Sequence, residues 1–279
     1  MFSTHVGLFR FKRLSFGINS AAELFQNVIQ SSLAGLPGVI NLSDDILVYG
    51  KNQTEHDERL RACLQRLREQ NFTLNRGKCE FGVHTIEFFG HVFNTDGVSP
   101  DPKKVEALKL AEKPQSKEEV RSFLGLANYC GRFIPGLATL TDPLRNLLKD
   151  STPWSWTDKH DNAMQSIKQS ISDTCSTAYF DTEKQTELLV DASPVGLGAL
   201  LIQYSSDGVG VVTGIASRAL QPVEQRYSQT EREALAVYWG IVHFHLYLYG
   251  DSFQVITDHK QLLPMFNRPT AKLPLRIER

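Results

Sequence analysis

Two adjacent carboxylates, Asp44 and Asp45, lie between short apolar runs in the stretch INLSDDILVYG, residues 40–50. Apolar runs joined by a few small or polar residues are typical of a β-hairpin, here with both acids near its tip. Like charges held together repel, and a divalent cation, which prefers hard oxygen ligands, would remove that cost. The pair therefore indicates either a metal site or a polar turn that happens to contain two aspartates.

Three further acids fall where a second metal site could form. Asp191 follows the apolar run LLV, Asp258 follows FQVIT, and Glu233 lies in the first turns of the helix predicted between them. A strand, a crossover helix and a parallel strand would bring the two aspartates to one edge of a sheet, within reach of Glu233. Such a cluster favours Mg²⁺, with Mn²⁺ as an alternative, and two ions about 4 Å apart would support phosphodiester cleavage. The alternative is three unrelated surface acids.

A basic ribbon is predicted near the start of the chain. Residues 5–16, HVGLFRFKRLSF, alternate apolar and basic side chains, with Arg10, Lys12 and Arg13 as the cations. Such a face suits a phosphate backbone, and a solvated strand face is the alternative. Because the formal net charge is −1, nucleic-acid binding would depend on local patches of this kind.

The first region, residues 1–97, is predicted to be an α+β layer with antiparallel strands. Apolar spacing predicts a helix from Ser20, as its N-cap, to residue 32, and a second from residue 54 to 70 with Thr54 as N-cap. The stretches FTLN, KCEFG and TIEFFGHVFNTDGV are predicted strands, the last a hairpin around His91.

Residues 98–175 are predicted to be helical and residues 176–279 to follow a βββαβα order. Helix starts are indicated at Asp101–Pro102, Ser116, Asp142–Pro143 and Asp158, and a capping box at Ser228 opens the long helix of the last region. The expected fold class is therefore multidomain, with α+β and α/β parts.

Bulk composition is that of a globular protein. The 279 residues are 41% hydrophobic and 22% charged, which suits two or more domains. The four cysteines form no CxxC pair or zinc pattern, as expected of thiols in a reducing compartment. The start lacks a signal-peptide core, and no apolar run reaches the roughly 18 residues of a membrane span. We expect an intracellular protein, in cytoplasm or nucleus, with no membrane partner.

These motifs together resemble the polymerase polyprotein of gypsy-type LTR retrotransposons, over essentially the whole chain. FKRLSFGINSAAELFQ resembles the palm motif FxxLPFGLxxAPxxFQ, and SDDILVYG resembles the reverse-transcriptase signature YxDDILV. LNRGKCEF and FFGHVFNTDGV resemble the lysine motif and the primer-grip hairpin, and VRSFLGLANYCGRFIP resembles the thumb. LVDASPVGLGALL, YSQTEREALAVYWGI and VITDHKQLL resemble the attached ribonuclease H domain.

The resemblance implies a partial reverse-transcriptase palm, a helical thumb or connection, and a ribonuclease H-like domain. It implies RNA-directed DNA polymerase and ribonuclease H activities, with Mg²⁺, a template-primer or RNA–DNA hybrid, and dNTP in the parent enzyme. A protease and an integrase would accompany them in the parent polyprotein. By position, the resemblance assigns Asp44 and Asp45 to the polymerase metal site and Phe16, Gly17 and Gln26 to the nucleotide and template site. It places Lys78 near the incoming triphosphate and Gly90 and His91 in the primer grip. Three of the four ribonuclease H acids are matched by Asp191, Glu233 and Asp258.

Several departures qualify the expected activity. Ala22 replaces a proline of the family's palm motif. The first polymerase aspartate of the family would precede residue 1, and the fourth ribonuclease H acid would follow Arg279. We therefore expect a fragment of a longer polyprotein that is inactive as a polymerase. A non-catalytic nucleic-acid-binding remnant and an inert truncated gene product are the alternatives, and no oligomeric state is predicted.

Overall fold

The computed structural model describes residues 2–12, 14, 17–173, 176–205 and 207–267. The chain divides into two compact units, Met1–Val83 and His84–Arg279. The finer division expected from the sequence, into residues 1–97, 98–175 and 176–279, stays a prediction. No helix in the described part of the chain has the length and apolar character needed to cross a bilayer.

The first unit contains two β-hairpins and two helices. Its elements are β1 (Phe2–Thr4), β2 (Gly7–Phe9), α1 (Ala21–Leu33), β3 (Val39–Leu42), β4 (Asp45–Val48) and α2 (Gln53–Glu69). Strand β1 pairs antiparallel with β2, and β3 pairs antiparallel with β4. Ile29 and Leu33 of α1 bury against Cys63 and Leu67 of α2, with Ile46 packed beside them. Burial of this apolar stripe fixes the two helices on the second hairpin.

Two predicted side-chain caps and two predicted strands in this unit are wrong in detail. Ser20 lies at the N-cap of α1, but its side chain makes no capping hydrogen bond. Asn52, and not Thr54, caps α2, because its Oδ1 accepts a 2.9 Å hydrogen bond from the Glu55 backbone N–H. FTLN and KCEFG form no strands: Asn75 bonds locally to the Gly77 backbone N–H and supports a 3₁₀ turn. A short polar side chain that satisfies nearby backbone groups competes with strand pairing.

The second unit begins with a three-stranded antiparallel sheet and continues as a helical segment. Its elements are β5 (Ile86–Phe88), β6 (His91–Phe93), β7 (Val98–Pro100), α3 (Pro102–Leu110), α4 (Lys117–Tyr129), α5 (Leu137–Leu147) and α6 (Asp158–Asp173). The predicted caps of α3 and α4 are confirmed: Asp101 accepts from the Lys103 N–H and Ser116 from the Glu119 N–H.

Helix α5 starts five residues before the predicted position. It begins at Leu137, after Gly136 in the left-handed conformation, and carries Pro143 inside the helix. Proline removes one backbone hydrogen bond there. The helix continues because Leu137, Leu144 and Leu147 share one buried stripe in the helical core, and that burial outweighs the lost bond.

The rest of the second unit has the predicted βββαβα order. Its elements are β8 (Thr186–Ala192), β9 (Gly196–Tyr204), β10 (Gly210–Ala219), α7 (Gln229–His243), α8 (His245–Leu248), β11 (Phe253–Ile256) and α9 (Leu262–Asn267). The sheet order is β10-β9-β8-β11, with β8 and β11 parallel and the other pairs antiparallel. The long helix predicted to reach about residue 249 is interrupted at Phe244, where α8 follows α7.

Helix α7 packs closely on the sheet because Gly240 faces it without a side chain. A Cβ at Gly240 would lie 3.1 Å from Val190 Cγ1 and 3.4 Å from both Ala199 Cβ and Leu188 Cδ2. Leu188, Val190 and Ala199 belong to the buried core of this sheet. The close approach holds the last turns of α7 against β8 and β9.

Candidate functional site

The parallel pair β8 and β11 brings Asp191 and Asp258 to the same edge of the sheet. The register pairs Phe253 with Thr186 and Ile256 with Leu189. Continued two residues further, the same offset places Asp258 beside Asp191. Both aspartates are exposed, so this end of the sheet is open to a substrate. The convergence predicted from the strand order is therefore observed.

Glu233 completes a cluster of three carboxylates with these aspartates. A capping box fixes the start of α7: Ser228 Oγ accepts from the Glu231 N–H, and the Glu231 side chain accepts from the Ser228 N–H. Glu233 follows on the buried side of the helix and is 2% exposed. One carboxylate oxygen from each of Asp191, Glu233 and Asp258 lies within 4.8 Å of the others.

The electrostatics of the cluster centre on Glu233. Burial raises the pKa of Glu233, and the charges of Asp191 and Asp258 raise it further. The hydrogen bond from Gln229 and the nearby His259 act in the opposite direction, but the net direction is upward. Like charges destabilise one another at short range. A cation bound between the three ionised carboxylates would therefore stabilise the cluster.

The residues present fit a divalent metal ion. Glu233 Oε1 accepts a 2.5 Å hydrogen bond from Gln229 Nε2, whereas the buried Oε2 has no hydrogen-bond partner among the described residues. A buried carboxylate oxygen without a partner is costly unless a cation or water satisfies it. Three hard oxygen donors are the ligand set that Mg²⁺ and Mn²⁺ prefer.

Two neighbours of the cluster were not predicted as site residues from the sequence. Gln229 lies one helical turn before Glu233, a spacing that places both on one face of a helix. Thr230 Oγ1 lies 3.0 Å from His259 Nε2 and donates to Gln261 Oε1 at 3.1 Å. The i, i+4 spacing of Gln229 and Glu233 was the available signal, but many glutamines share it by chance.

The Asp44–Asp45 pair lies on the predicted hairpin. Leu42 pairs with Asp45, so Ser43 and Asp44 form a two-residue turn, and Ser43 has a left-handed φ of 55°. Gln26 of α1 holds this turn: its Oε1 accepts from the Ser43 N–H at 2.5 Å and its Nε2 donates to Asn41 O at 3.4 Å. Both aspartates are exposed. Among the described residues, no third carboxylate, histidine or cysteine joins them in a metal-ligating group.

The other predicted site residues of the first unit that the structure describes are exposed. Gly17 has a φ of 82°, and Lys78 ends the 3₁₀ turn Arg76–Lys78. Arg10 and Lys12 follow β2, lie outside any strand and are exposed, and the basic ribbon stays a prediction. Arg13 and Phe16 lie outside the described residues.

Gly90 and His91 lie at the β5–β6 turn of the second unit. The hydroxyl of Tyr129 donates a hydrogen bond to Gly90 O. The His91 ring lies 5.9 Å from the rings of both Tyr129 and Phe133, between centroids. His91 Nδ1 is 3.0 Å from Phe89 O. Tyr129 thus ties this turn to the end of α4.

Replacing Gly90 with alanine should destabilise the second unit by about 2–5 kcal/mol. The φ of Gly90 is 71°, which costs an L-residue about 1–2 kcal/mol, and the added Cβ would overlap the Tyr129 hydroxyl, adding about 1–3 kcal/mol of overpacking. Gly250→Ala is the matched control, because Gly250 has a φ of 86° with no atom within 4 Å of an added Cβ. Urea unfolding of both variants measures the difference, and equal losses would show that the Tyr129 contact is immaterial.

Comparison with known families matches both parts of the chain. Residues 2–93 match the family model described as reverse transcriptase (RNA-dependent DNA polymerase). Residues 156–255 match the model of the RNase H-like domain found in reverse transcriptase. The acidic pair lies within the first match, and Asp191 and Glu233 lie within the second.

Known sequences and structures with the same arrangement support these matches. The Tf2-3 and Tf2-4 transposon polyproteins of Schizosaccharomyces pombe are each 33% identical over 261 residues, covering 92% of this chain. The chain spans only 20% of the length of these relatives. Foamy viral protease-reverse transcriptase bound to an RNA/DNA hybrid superposes with a TM-score of 0.74 at 20% identity, over 96% of this chain and 37% of that one.

A second structure of the foamy viral enzyme, with double-stranded DNA, gives a TM-score of 0.75 at 20% identity over 94% of this chain and 55% of that one. At this identity the likeness shows the fold alone, which is the expected combination of reverse-transcriptase palm and ribonuclease H-like domain. With both family models matched in the expected order, residues 2–93 belong to the reverse transcriptase family and residues 156–255 to the family of RNase H-like domains found in reverse transcriptases.

Proposed function

We propose that this chain carries a divalent-metal nuclease site, formed by Asp191, Glu233 and Asp258, that hydrolyses the RNA strand of RNA–DNA hybrids. The observation that supports it most is the cluster itself: three carboxylate oxygens within 4.8 Å of one another, in a domain that matches a ribonuclease H-like family. The buried and unpartnered Glu233 Oε2 adds a ligand that a cation would satisfy.

The three side chains have different tasks in this proposal. When bound, Mg²⁺ would activate water and stabilise the leaving oxygen of a phosphodiester. Asp191 and Asp258 are exposed, so they present ligands where a phosphate backbone can approach. Glu233 is buried behind them and fixes the inner side of the site. Without a cation, three carboxylates would repel a phosphate, so substrate and metal are expected to bind together.

RNA–DNA hybrid is the proposed substrate on the basis of similarity. The foamy viral enzyme that shares this fold is described in complex with an RNA/DNA hybrid. A template-primer is proposed as a second nucleic-acid partner, and dNTP as a substrate of the parent enzyme. A protease and an integrase are proposed as further parts of the parent polyprotein. The residues proposed to contact nucleic acid or nucleotide are Arg10, Lys12, Arg13, Phe16, Gly17, Gln26, Lys78, Gly90 and His91.

The nuclease proposal is tested with a hybrid labelled on either strand. We expect Mg²⁺ and Mn²⁺ to support cleavage of the RNA strand and EDTA to abolish it, with the DNA strand left intact. A duplex of the same sequence made entirely of DNA is the matched control substrate. Absence of metal-dependent cleavage of the hybrid, or equal cutting of both duplexes, would contradict the proposal.

The polymerase element is proposed to be incomplete as a catalyst in a polypeptide of these 279 residues. Mg²⁺ demands several oxygen ligands in strict octahedral geometry, and within the described residues Asp44 and Asp45 have no third acid beside them. With dNTP and Mg²⁺, we expect the 279-residue protein not to extend the primer on an RNA template. The same protein preparation should cleave the RNA strand of an RNA–DNA hybrid. Primer extension that disappears in Asp44→Asn would prove this prediction wrong.

A further inference from the structure

We propose that Gln229 is a positioning residue of the metal site, which holds Glu233 through one oxygen and leaves the other for the cation. The inference rests on the proposed function, because it assigns a role within that same site. Gln229 is the first residue of α7, and neither its helix position nor its partial exposure requires it to contact the acids.

The contacts of Gln229 join the two elements that carry the site. Gln229 Nε2 donates to Glu233 Oε1 at 2.5 Å and to the backbone oxygen of Ala192 at 3.2 Å. Ala192 is the last residue of β8 and follows Asp191 directly. One amide group therefore connects the strand end that supplies Asp191 with the helix that supplies Glu233.

The orientation of this amide is determined by its partners. Gln229 Oε1 accepts a 2.6 Å hydrogen bond from Arg232 Nη2, and Arg232 is itself held by Nη1 donating to Tyr227 O at 3.0 Å. A guanidinium has donors only, whereas a backbone carbonyl and an ionised carboxylate only accept. Reversing the amide would place acceptor against acceptor and donor against donor, so Nε2 must face Ala192 and Glu233.

Anchoring matters because Glu233 faces two other acids. The negative charges of Asp191 and Asp258 oppose the ionised form of Glu233, and an unanchored carboxylate would move to reduce that repulsion. With Oε1 held by Gln229, the remaining buried Oε2 has no other hydrogen bond among the described residues. Outer hydrogen bonds that orient a metal ligand typically contribute about 10–100-fold to metal affinity or activity.

The test compares Mn²⁺ binding, measured by electron paramagnetic resonance, in wild type, Gln229→Met and Gln225→Met. Methionine keeps the side-chain length but cannot donate to Glu233. Gln225 is the control, because its Nε2 donates to the Leu220 backbone oxygen and not to any of the three acids. We expect Gln229→Met to weaken Mn²⁺ binding about tenfold, and Gln225→Met to match wild type.

A purely structural role for Gln229 would lower thermal stability without changing metal affinity, so both are measured. In hybrid cleavage by Gln229→Met, the Mg²⁺ concentration that gives half the maximal rate should rise. The fold-change in that concentration should exceed the fold-loss in kcat at saturating Mg²⁺. If Gln229→Met does not fold, Gln229→Asn, which is one methylene too short to reach both acceptors, must show the weaker binding.

Two outcomes separate this inference from the proposed function. Mn²⁺ binding by wild type that is lost in Glu233→Gln, but unchanged in a folded Gln229 variant, would overturn the positioning role and leave the metal site standing. Absence of Mn²⁺ binding by wild type would overturn both.

Discussion

Asp191→Asn is expected to lower the Mg²⁺-dependent cleavage of an RNA–DNA hybrid by about 10²–10³-fold, the loss typical when one preorganised electrostatic group is removed from an active site. Asp191 supplies one of three carboxylate oxygens that lie within 4.8 Å of one another. The amide retains the shape but loses the charge that holds a divalent cation. Single-turnover cleavage of a labelled hybrid gives the rate.

Asp251→Asn serves as the matched control. Asp251 is exposed and accepts from the Ser252 backbone N–H at 2.8 Å; it precedes β11, whereas Asp258 follows that strand. It should cleave at the wild-type rate. Cleavage by Asp191→Asn at the wild-type rate would place the activity elsewhere and remove the main support for the proposed site.

Glu233→Gln should make the metal-free protein more stable at pH 7 while removing its response to Mg²⁺. Burial, followed by the charges of Asp191 and Asp258, raises the pKa of Glu233 above its ordinary value of 4.5. The folded state therefore binds the Glu233 proton more tightly than the unfolded state does. The free energy of unfolding falls as pH rises from 4.5 through the raised pKa of folded Glu233. Glutamine carries no charge and can still accept from Gln229, so it avoids the loss.

The gain should be on the order of 1 kcal/mol, or roughly 2–4 °C in Tm for a unit of this size. The gain should shrink as pH falls below 4.5, the ordinary pKa of a glutamate, because Glu233 then becomes protonated in the unfolded as well as in the folded state. Addition of Mg²⁺ at 100 times its Kd should stabilise wild type by about 2.7 kcal/mol and leave the variant unchanged. Calorimetry in EDTA and in Mg²⁺ measures both effects.

Glu224→Gln provides a control of opposite sign. Burial would raise the pKa of Glu224, but the hydrogen bonds from Arg218 and the Gln221 backbone, together with the Arg218 charge, lower it overall. That substitution should destabilise the protein near neutral pH. A Glu233→Gln protein less stable than wild type in EDTA at pH 7 would contradict the charge repulsion described for the cluster.

The sequence predicted the convergence of Asp191 and Asp258 because strand order and register follow from local patterns. Both aspartates follow apolar runs of β-branched and aliphatic residues, and the intervening helix begins with an unambiguous capping box at Ser228. The connection from a strand through a helix to a parallel strand is right-handed in nearly all proteins, which limits where the second strand can lie. The βββαβα order and a possible convergence of the acids could therefore be predicted from the residues, whereas the palm, thumb and ribonuclease H-like architecture was implied by the family resemblance.

Other features depended on tertiary contacts that local patterns do not encode. The start of α5 at Leu137 is decided by burial against the helical core, which outweighs the proline signal at Pro143. The cap of α2 lies at Asn52 because that side chain reaches the Glu55 N–H, although Thr54 is also a good N-cap residue. The role of Gln229 could not be predicted, since it depends on where the end of β8 lies in space.

The metal site proposed at Asp191, Glu233 and Asp258 can be tested by calorimetric titration of Mg²⁺ into wild type and Asp258→Asn. We expect saturable binding to wild type that is weakened at least about tenfold in Asp258→Asn, with Asp251→Asn binding Mg²⁺ as wild type does. Identical titration curves for wild type and Asp258→Asn, or no binding to either, would contradict it.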